Sequence, residues 1–316
     1  MALILDARRA IEGHIRRTPI EASPALSELA NAPVFLKLES LQLTGSFKIR
    51  GAYFVMSQLS ADERRRGVVT CSAGNHGKAV AYVARALGVP AEVHVPRDVD
   101  QAKHDAMVAL GARVVRSDFE GYDDTLEVAC AEAARSGRPF LTAFDDVRIL
   151  AANGGTLAAE VLEDCPEART FLLPVGGAGL SGGFAYYAKA KLADSRVIGC
   201  QHAGSPALTL SLECGHAVVT LPPFTTTAGG LEGGIGRTGF DVLRSRIDGV
   251  ALLDEAEIFE AVRFMLERHQ YLIEPSSAVT VAAILTGKAG RLASPTVAVI
   301  SGRNVAYPTV RRIVTT

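Results

Sequence analysis

Phe171-Leu-Leu-Pro-Val-Gly-Gly-Ala-Gly-Leu-Ser-Gly-Gly183 reads as an apolar strand that runs into a glycine-rich turn and then a helix. Glycines let successive backbone N–H groups converge, and the helix N-terminus adds positive potential, so such a turn can cradle a phosphate. The same glycines would also serve a plainer purpose, letting strand and helix pack closely. No Gly-Lys-Ser/Thr is present, which excludes a nucleoside-triphosphate loop. Gly177-Ala-Gly179-Leu-Ser-Gly182 matches GxGxxG, but a dinucleotide site needs an acid about 20 residues on, at the end of the next strand. That strand ends at Gln201-His202, and no Asp or Glu follows it until Glu213. A smaller phosphorylated cofactor fits the pattern better, with a nicotinamide-dependent oxidoreductase as the alternative.

Outward from this unit, strand-like runs recur at Val34–Leu38, Gly67–Thr70, Ala91–Val95, Ala112–Val115, Arg196–Cys200 and Thr296–Ile300. Helical patterns separate them at Asn75–Leu87, Gln101–Leu110, Tyr122–Arg135, Ile149–Glu163, Gly182–Leu192, Glu255–Arg268 and Ser276–Leu285. Gly88 and Gly111 stand just past two of these helix ends. Alternation of this kind predicts an α/β protein with parallel sheet covered by helices on both faces. A length of 316 residues suggests roughly two domains. The stretch from Leu221 to Gly239 is too long and glycine-rich for an ordinary connection, which marks it as a candidate functional loop.

The composition is 48% apolar and 21% charged, which rules out disorder. Lys plus Arg is 33 against 34 for Asp plus Glu, so the electrostatic footprint of a nucleic-acid binder is missing. No polybasic run suits an anionic membrane surface, and no stretch reaches the ~20 apolar residues of a membrane span. The cysteines at 71, 130, 165, 200 and 214 are odd in number, scattered and without a CxxC pair, which argues against a disulfide framework or a structural zinc site. The N-terminus places Asp6, Arg8 and Arg9 straight after four apolar residues, the wrong order for a signal peptide. A cytoplasmic protein acting on small molecules is the expectation.

Two further loops follow strands, where ligands bind in such folds. Thr44-Gly45-Ser46 reads as a turn and N-cap, so Lys48 falls in the first turn of a helix. A cation is out of place there, because the helix dipole and any burial both favour the neutral amine that attacks carbonyls or abstracts protons. An exposed surface lysine is the plain alternative. Ser72-Ala-Gly-Asn-His76 offers hydroxyl, amide and imidazole groups beside another helix start, a nest for a carboxylate or simply a capped helix.

Together these loops resemble the fold-type II pyridoxal-phosphate enzymes, in their serine/threonine dehydratase and serine racemase branch. The resemblance spans nearly the whole chain: Thr18-Pro19, Leu36-Lys-Leu-Glu39, Thr44-Gly-Ser-Phe-Lys48, Arg50-Gly-Ala52, Ser72–His76, Phe144-Asp-Asp146, Gly176–Leu180, Ile273-Glu-Pro275 and Ser301-Gly-Arg-Asn304. It implies two open, mostly parallel twisted sheets, with the cofactor between a large domain (residues 1–51 plus 144–316) and a small mobile domain (residues 52–143). It also implies pyridoxal 5'-phosphate linked to Lys48 as an internal aldimine. Phe47 would then flank the ring, Asn75 would bond the ring hydroxyl oxygen, and Gly176, Gly177, Ala178, Gly179 and Leu180 would hold the phosphate. Ser301 would face the pyridine nitrogen, and Ser72, Ala73, Asn75 and His76 would line the substrate carboxylate site. A homodimer is a family-level expectation.

The implied reaction is β-elimination of a 3-hydroxy amino acid to a 2-oxo acid and ammonia, with racemisation or β-replacement as alternatives. Ala73 stands where the racemase has its second acid/base serine, which favours the dehydratase. His202-Ala-Gly-Ser-Pro206 replaces that racemase's acidic metal ligands, so no metal site is expected. Arg303 replaces the usual glycine of the Ser-Gly-Gly-Asn motif. The chain lacks room after that motif for a regulatory domain, so feedback inhibition is not expected. The Glu232–Gly236 loop is more like those of dehydratases acting on hydroxyectoine-derived or hydroxyaspartate substrates. Arg237 either meets a second substrate carboxylate or stays solvated.

Overall fold

The computed structural model describes residues 1–292 and 294–315. Its strands are β1 (Ile20–Ala22), β2 (Val34–Leu38), β3 (Val68–Cys71), β4 (Ala91–Val95), β5 (Arg113–Arg116), β6 (Phe140–Leu141), β7 (Thr170–Pro174), β8 (Arg196–His202), β9 (Gly249–Leu253) and β10 (Thr296–Ile300). They form a six-stranded sheet in the order β1-β2-β10-β7-β8-β9 and a four-stranded sheet in the order β5-β4-β3-β6. Only β1 and β2 pair antiparallel; the other neighbours run parallel. The expected α/β class with open, mostly parallel sheets is the one that forms. β1, β6 and β9 had no clear signal in the sequence: two of them span three residues or fewer, too short to show a period.

Strands β3, β7 and β10 are buried along their whole length, which is why they read as largely apolar runs, whereas β4 is equally buried although it alternates, with Glu92 paired to His94 and Arg138. In β10 the side chains still divide by parity. Val297 and Val299 pack with Leu157, Phe184 and Leu208 on one face, while Ala298 and Ile300 pack with Ala278, Val281 and Ile258 on the other. A third core joins Val68, Val93 and Val95 of the smaller sheet to Ile49, Phe54 and Met56 of the Lys48–Ser57 helix. That helix therefore starts at the edge of the larger sheet and ends in the core of the smaller one. The expected 51/52 domain boundary falls inside it.

The helix expected over Ile149–Glu163 is interrupted. Val147–Leu150 and Thr156–Asp164 are α-helical, but Ala151–Gly155 widens into a π-turn. Close contacts explain the widening. Asn153 Oδ1 accepts the Gly51 N–H at 2.8 Å, and a Cβ on Gly154 would lie 1.9 Å from the Leu180 carbonyl oxygen. Gly183 is equally constrained from the opposite side, its Cβ position being 1.9 Å from Leu150 O. The π-turn thus presses against both the Lys48 helix and the helix after the glycine turn, the usual company of such a defect.

Candidate active site

Parallel neighbours place their carboxyl ends on one edge, and β2, β10 and β7 are consecutive in the larger sheet. The loops that follow them carry Lys48, Ser301 and Gly176–Leu180, so three sequence-distant candidates share one rim. Backbone bonds stitch the first two together. Phe47 N–H donates to Ser301 O at 3.1 Å, Arg303 N–H donates to Gly45 O at 2.9 Å, and Ser46 bridges Gly302. Ser46 is therefore not the helix cap. Phe47 takes that position, Lys48 is the first helical residue, and the buried Ser46 and Thr44 hydroxyls find no partner among the described residues. The bridge to Gly302, invisible to local sequence rules, pre-empts the capping geometry.

Lys48 Nζ donates to Ala143 O at 2.8 Å and lies 5.2 Å from the centre of the Phe47 ring. Loss of water lowers its amine from the usual lysine range to about 8, against the opposing pull of the Glu274 carboxylate. Phe144, the next residue after that carbonyl, packs on the glycine turn. Added Cβ atoms on Gly177 and Gly179 would sit 2.3 Å and 3.0 Å from it. Gly176 is closed off in the same way by Gly230 O at 2.3 Å. The glycines thus meet the close-packing reading, and that packing holds the turn next to the lysine.

The donor set also fits a phosphate. The Ser181–Lys191 helix begins directly after the turn with no side-chain cap, its Gly182 N–H donating to Ala178 O at 2.9 Å and its positive dipole end at the turn. Ala178 adopts left-handed backbone at φ 63°, and Ser181 Oγ is buried without a hydrogen-bond partner among the described residues. An orphaned hydroxyl beside an uncapped helix start is what an absent anion would satisfy. The Leu221–Gly239 stretch braces the turn from outside. Gly230 N–H donates to Ser276 Oγ at 2.8 Å, Gly236 N–H to Gly177 O at 3.3 Å, and Thr238 N–H to Asp145 Oδ1 at 2.8 Å. Arg237, at the head of a short helix there, is exposed.

On the smaller sheet, β3 delivers Ser72–His76 to the same cleft, and the Asn75–Leu87 helix follows without a side-chain cap. Ser72 Oγ accepts the Gly74 N–H at 3.2 Å. His76 turns inward, with Nε2 3.3 Å from Leu141 O. Burial, reinforced by the Lys48 charge, depresses its imidazole to about 3, so it is neutral near pH 7. His76 supplies no cation to a carboxylate, and the uncapped backbone N–H groups remain for that purpose. Asn75 Nδ2 donates to Glu274 Oε1 at 2.7 Å, and its Oδ1 accepts Asn304 Nδ2 at 2.6 Å. Burial raises the Glu274 carboxyl to about 7, against the pull of Asn75, Asn304, Lys103 and Lys48.

Glu274, Asn304 and Lys78 received no role from sequence reasoning. Ile273-Glu-Pro275 reads only as a helix start with proline at the first turn, and nothing local tells that Glu274 faces a helix of the other sheet. His202 ends β8 as a structural histidine. Its Nδ1 accepts the Gly204 N–H at 2.9 Å, and its Nε2 lies 3.0 Å from Glu255 Oε2. Among the described residues no helix is long and apolar enough to cross a membrane.

Two largely parallel sheets, with a desolvated lysine and a glycine turn on the rim of the larger one, define an α/β enzyme built around a phosphorylated cofactor. Residues 11–302 match the model described as pyridoxal-phosphate dependent enzyme, and the chain belongs to that family, with pyridoxal phosphate as its cofactor. The L-threonine ammonia-lyase of Thermotoga maritima is 35% identical over 313 residues, covering 98% of this chain and 77% of the relative. The processed form of threonine deaminase isoform 2 from Solanum lycopersicum superposes with a TM-score of 0.92 at 29% identity, covering 99% of this chain and 92% of that one. The serine racemase of Dictyostelium discoideum superposes with a TM-score of 0.88 at 32% identity, covering 96% and 98%. The fold is thus fold type II.

Proposed function

We propose that this chain is a lyase that β-eliminates a 3-hydroxy amino acid such as threonine or serine, releasing a 2-oxo acid and ammonia. The observation that carries the reading is the Lys48 amine, lowered to about 8 by burial on the rim that also bears the glycine turn. The names of the threonine ammonia-lyase and threonine deaminase relatives support the same reaction. Gly176–Leu180 and Ser181 Oγ would hold the phosphate, Phe47 would flank the ring, Asn75 would bond the ring hydroxyl oxygen, and Ser301 would face its nitrogen. When bound, pyridoxal phosphate supplies an electron-poor ring that accepts the electron pair left at Cα.

The chain's own groups do the rest. The helix start at Asn75–Gly77 holds the substrate carboxylate through backbone N–H groups. Lys48 Nζ, partly neutral near pH 7, takes the α-proton. The neutral Ser301 hydroxyl does not enforce a protonated pyridine, so the electron pair is passed on promptly and the β-hydroxyl departs. The α-proton and hydroxyl leave as water, and a second water hydrolyses the released enamine to 2-oxo acid and ammonia. Ala73 carries no exchangeable proton, which disfavours the proton return on the opposite face that racemisation needs.

The small domain spans residues 52–143, the protein is a homodimer, and its five unpaired cysteines suit a reducing cytoplasm. A 2-oxo-acid release assay across L-threonine, L-serine, 3-hydroxyaspartate and phenylserine tests the activity. Lys48→Ala abolishes turnover and the borohydride-reducible link to cofactor, whereas full turnover in that variant refutes the assignment. D-serine formed from L-serine faster than pyruvate would establish the racemase instead.

A further inference from the structure

Four polar side chains cross the cleft in one connected hydrogen-bonded network. Lys78 Nζ donates to Asn304 Oδ1 at 2.7 Å, and Asn304 Nδ2 donates to Asn75 Oδ1 at 2.6 Å and to Thr44 O at 2.9 Å. Asn75 Nδ2 in turn donates to Glu274 Oε1 at 2.7 Å, while Glu274 Oε2 accepts the Asn304 N–H at 2.9 Å. Asn75 and Lys78 belong to the helix after β3 of the smaller sheet, whereas Glu274 and Asn304 belong to loops of the larger one.

The lysine end of the network dictates its direction. An ammonium group only donates, so Asn304 must turn its oxygen to Lys78 and its nitrogen to Asn75. Asn75, whose Oδ1 accepts from Asn304, is left with its nitrogen toward Glu274, which accepts it at Oε1. Asn75 then has its oxygen occupied and one Nδ2 hydrogen uncommitted. A free carboxamide could present either atom to a ligand; this one is held to presenting a donor.

We infer that Glu274 is a positioning residue that, with Asn304, fixes the polarity of the Asn75 carboxamide and clasps the two sheets together across the cofactor cleft. The inference rests on the functional reading above, in which Asn75 would bond the ring hydroxyl oxygen; an oxygen bearing negative charge is the partner a committed donor suits. The charged groups around Glu274 are Lys48 and Lys103, with Lys78 and Arg303 beyond Asn304. Glu274→Gln is close in shape but places an amide hydrogen against either Asn75 Nδ2 or the Asn304 N–H, so one link of the network becomes donor against donor.

The test is a double-mutant cycle on holoenzyme, with Glu274→Gln, Asn75→Ala and the pair, reading the cofactor's visible absorption band from pH 6 to 9 alongside kcat/KM. Each single variant shifts the balance of the visible bands in the same direction and lowers kcat/KM about tenfold or more. The pair is no worse than the poorer single, because Glu274 acts through Asn75. Lys78→Met, at the far end and away from the ring, gives a smaller shift of the same sign and keeps the test decisive should Glu274→Gln fold poorly. Additive effects in the pair, or wild-type spectra in both Glu274→Gln and Lys78→Met, overturn the inference while leaving the functional reading intact. A wild-type protein without a visible band overturns both.

Discussion

On the proposed function, capture of cofactor by Lys48 has a pH dependence that the structure sets in advance. Only the neutral amine attacks an aldehyde, and burial moves the Lys48 amine down to about 8 from the ordinary lysine value of 10.5. At pH 7 about one-tenth of the amine is then neutral, roughly 300-fold more than for a solvated lysine. Cofactor-stripped protein mixed with excess pyridoxal phosphate in a stopped-flow spectrometer reports the rate as the visible band appears. A free lysine derivative under the same conditions, its rate corrected for that amine's own protonation, gives the cofactor's ionisation to divide out. Below pH 8 the protein's rate climbs about tenfold per unit, and above it the rate levels off. Glu274→Gln removes the charge that pulls the amine upward, so its break moves to lower pH. A rate that keeps climbing to pH 10 would refute the desolvation argument, as would unchanged capture by Lys48→Ala.

Further substitutions bear on how the rim is held. Arg50, fully buried, donates to Glu39 at 2.8 Å and to Glu160 at 2.7 Å, and Lys37 completes the cluster on Glu160 at 2.7 Å. Arg50→Met strands two carboxylates with one cation and costs about 3–5 kcal/mol of stability, measured by denaturant unfolding. Gly183→Ala drives a methyl to 1.9 Å from Leu150 O, a backbone contact that cannot yield; the variant loses cofactor retention on dialysis while Gly88→Ala, in open space but strained at φ 65°, retains cofactor despite its lower stability. Stability between pH 7 and 5 carries two opposed contributions. His76, lowered to about 3, is protonated more readily when unfolded and subtracts roughly 2 kcal/mol as the pH falls below 6.5. Glu274, raised to about 7, binds its proton more readily when folded and adds roughly 2 kcal/mol over the same interval. Glu274→Gln leaves the loss uncompensated, so its unfolding midpoint falls with acid more steeply than the wild type's; parallel profiles would show that the two groups do not oppose each other.

The α/β class is legible in the chain alone, because unbroken apolar runs alternating with helical patterns leave few other ways to bury a sheet on both faces. So are the loops that carry chemistry, since the glycine turn, the misplaced lysine and the Ser72–His76 nest each declare themselves within a dozen residues. How these parts work on one another emerges only once the chain is folded. Nothing near Glu274 announces that it faces Asn75 across 199 positions, nor that Asn304 reaches the same Asn75 across 229. The strand order that makes β2, β10 and β7 neighbours is likewise absent from local pattern. The Ile149–Glu163 helix yields to a π-turn because Gly154 and Gly183 bring two distant backbones into contact. Local propensity speaks over a few turns of chain, whereas desolvation, amide polarity and close backbone approach depend on which segments the cores bring together.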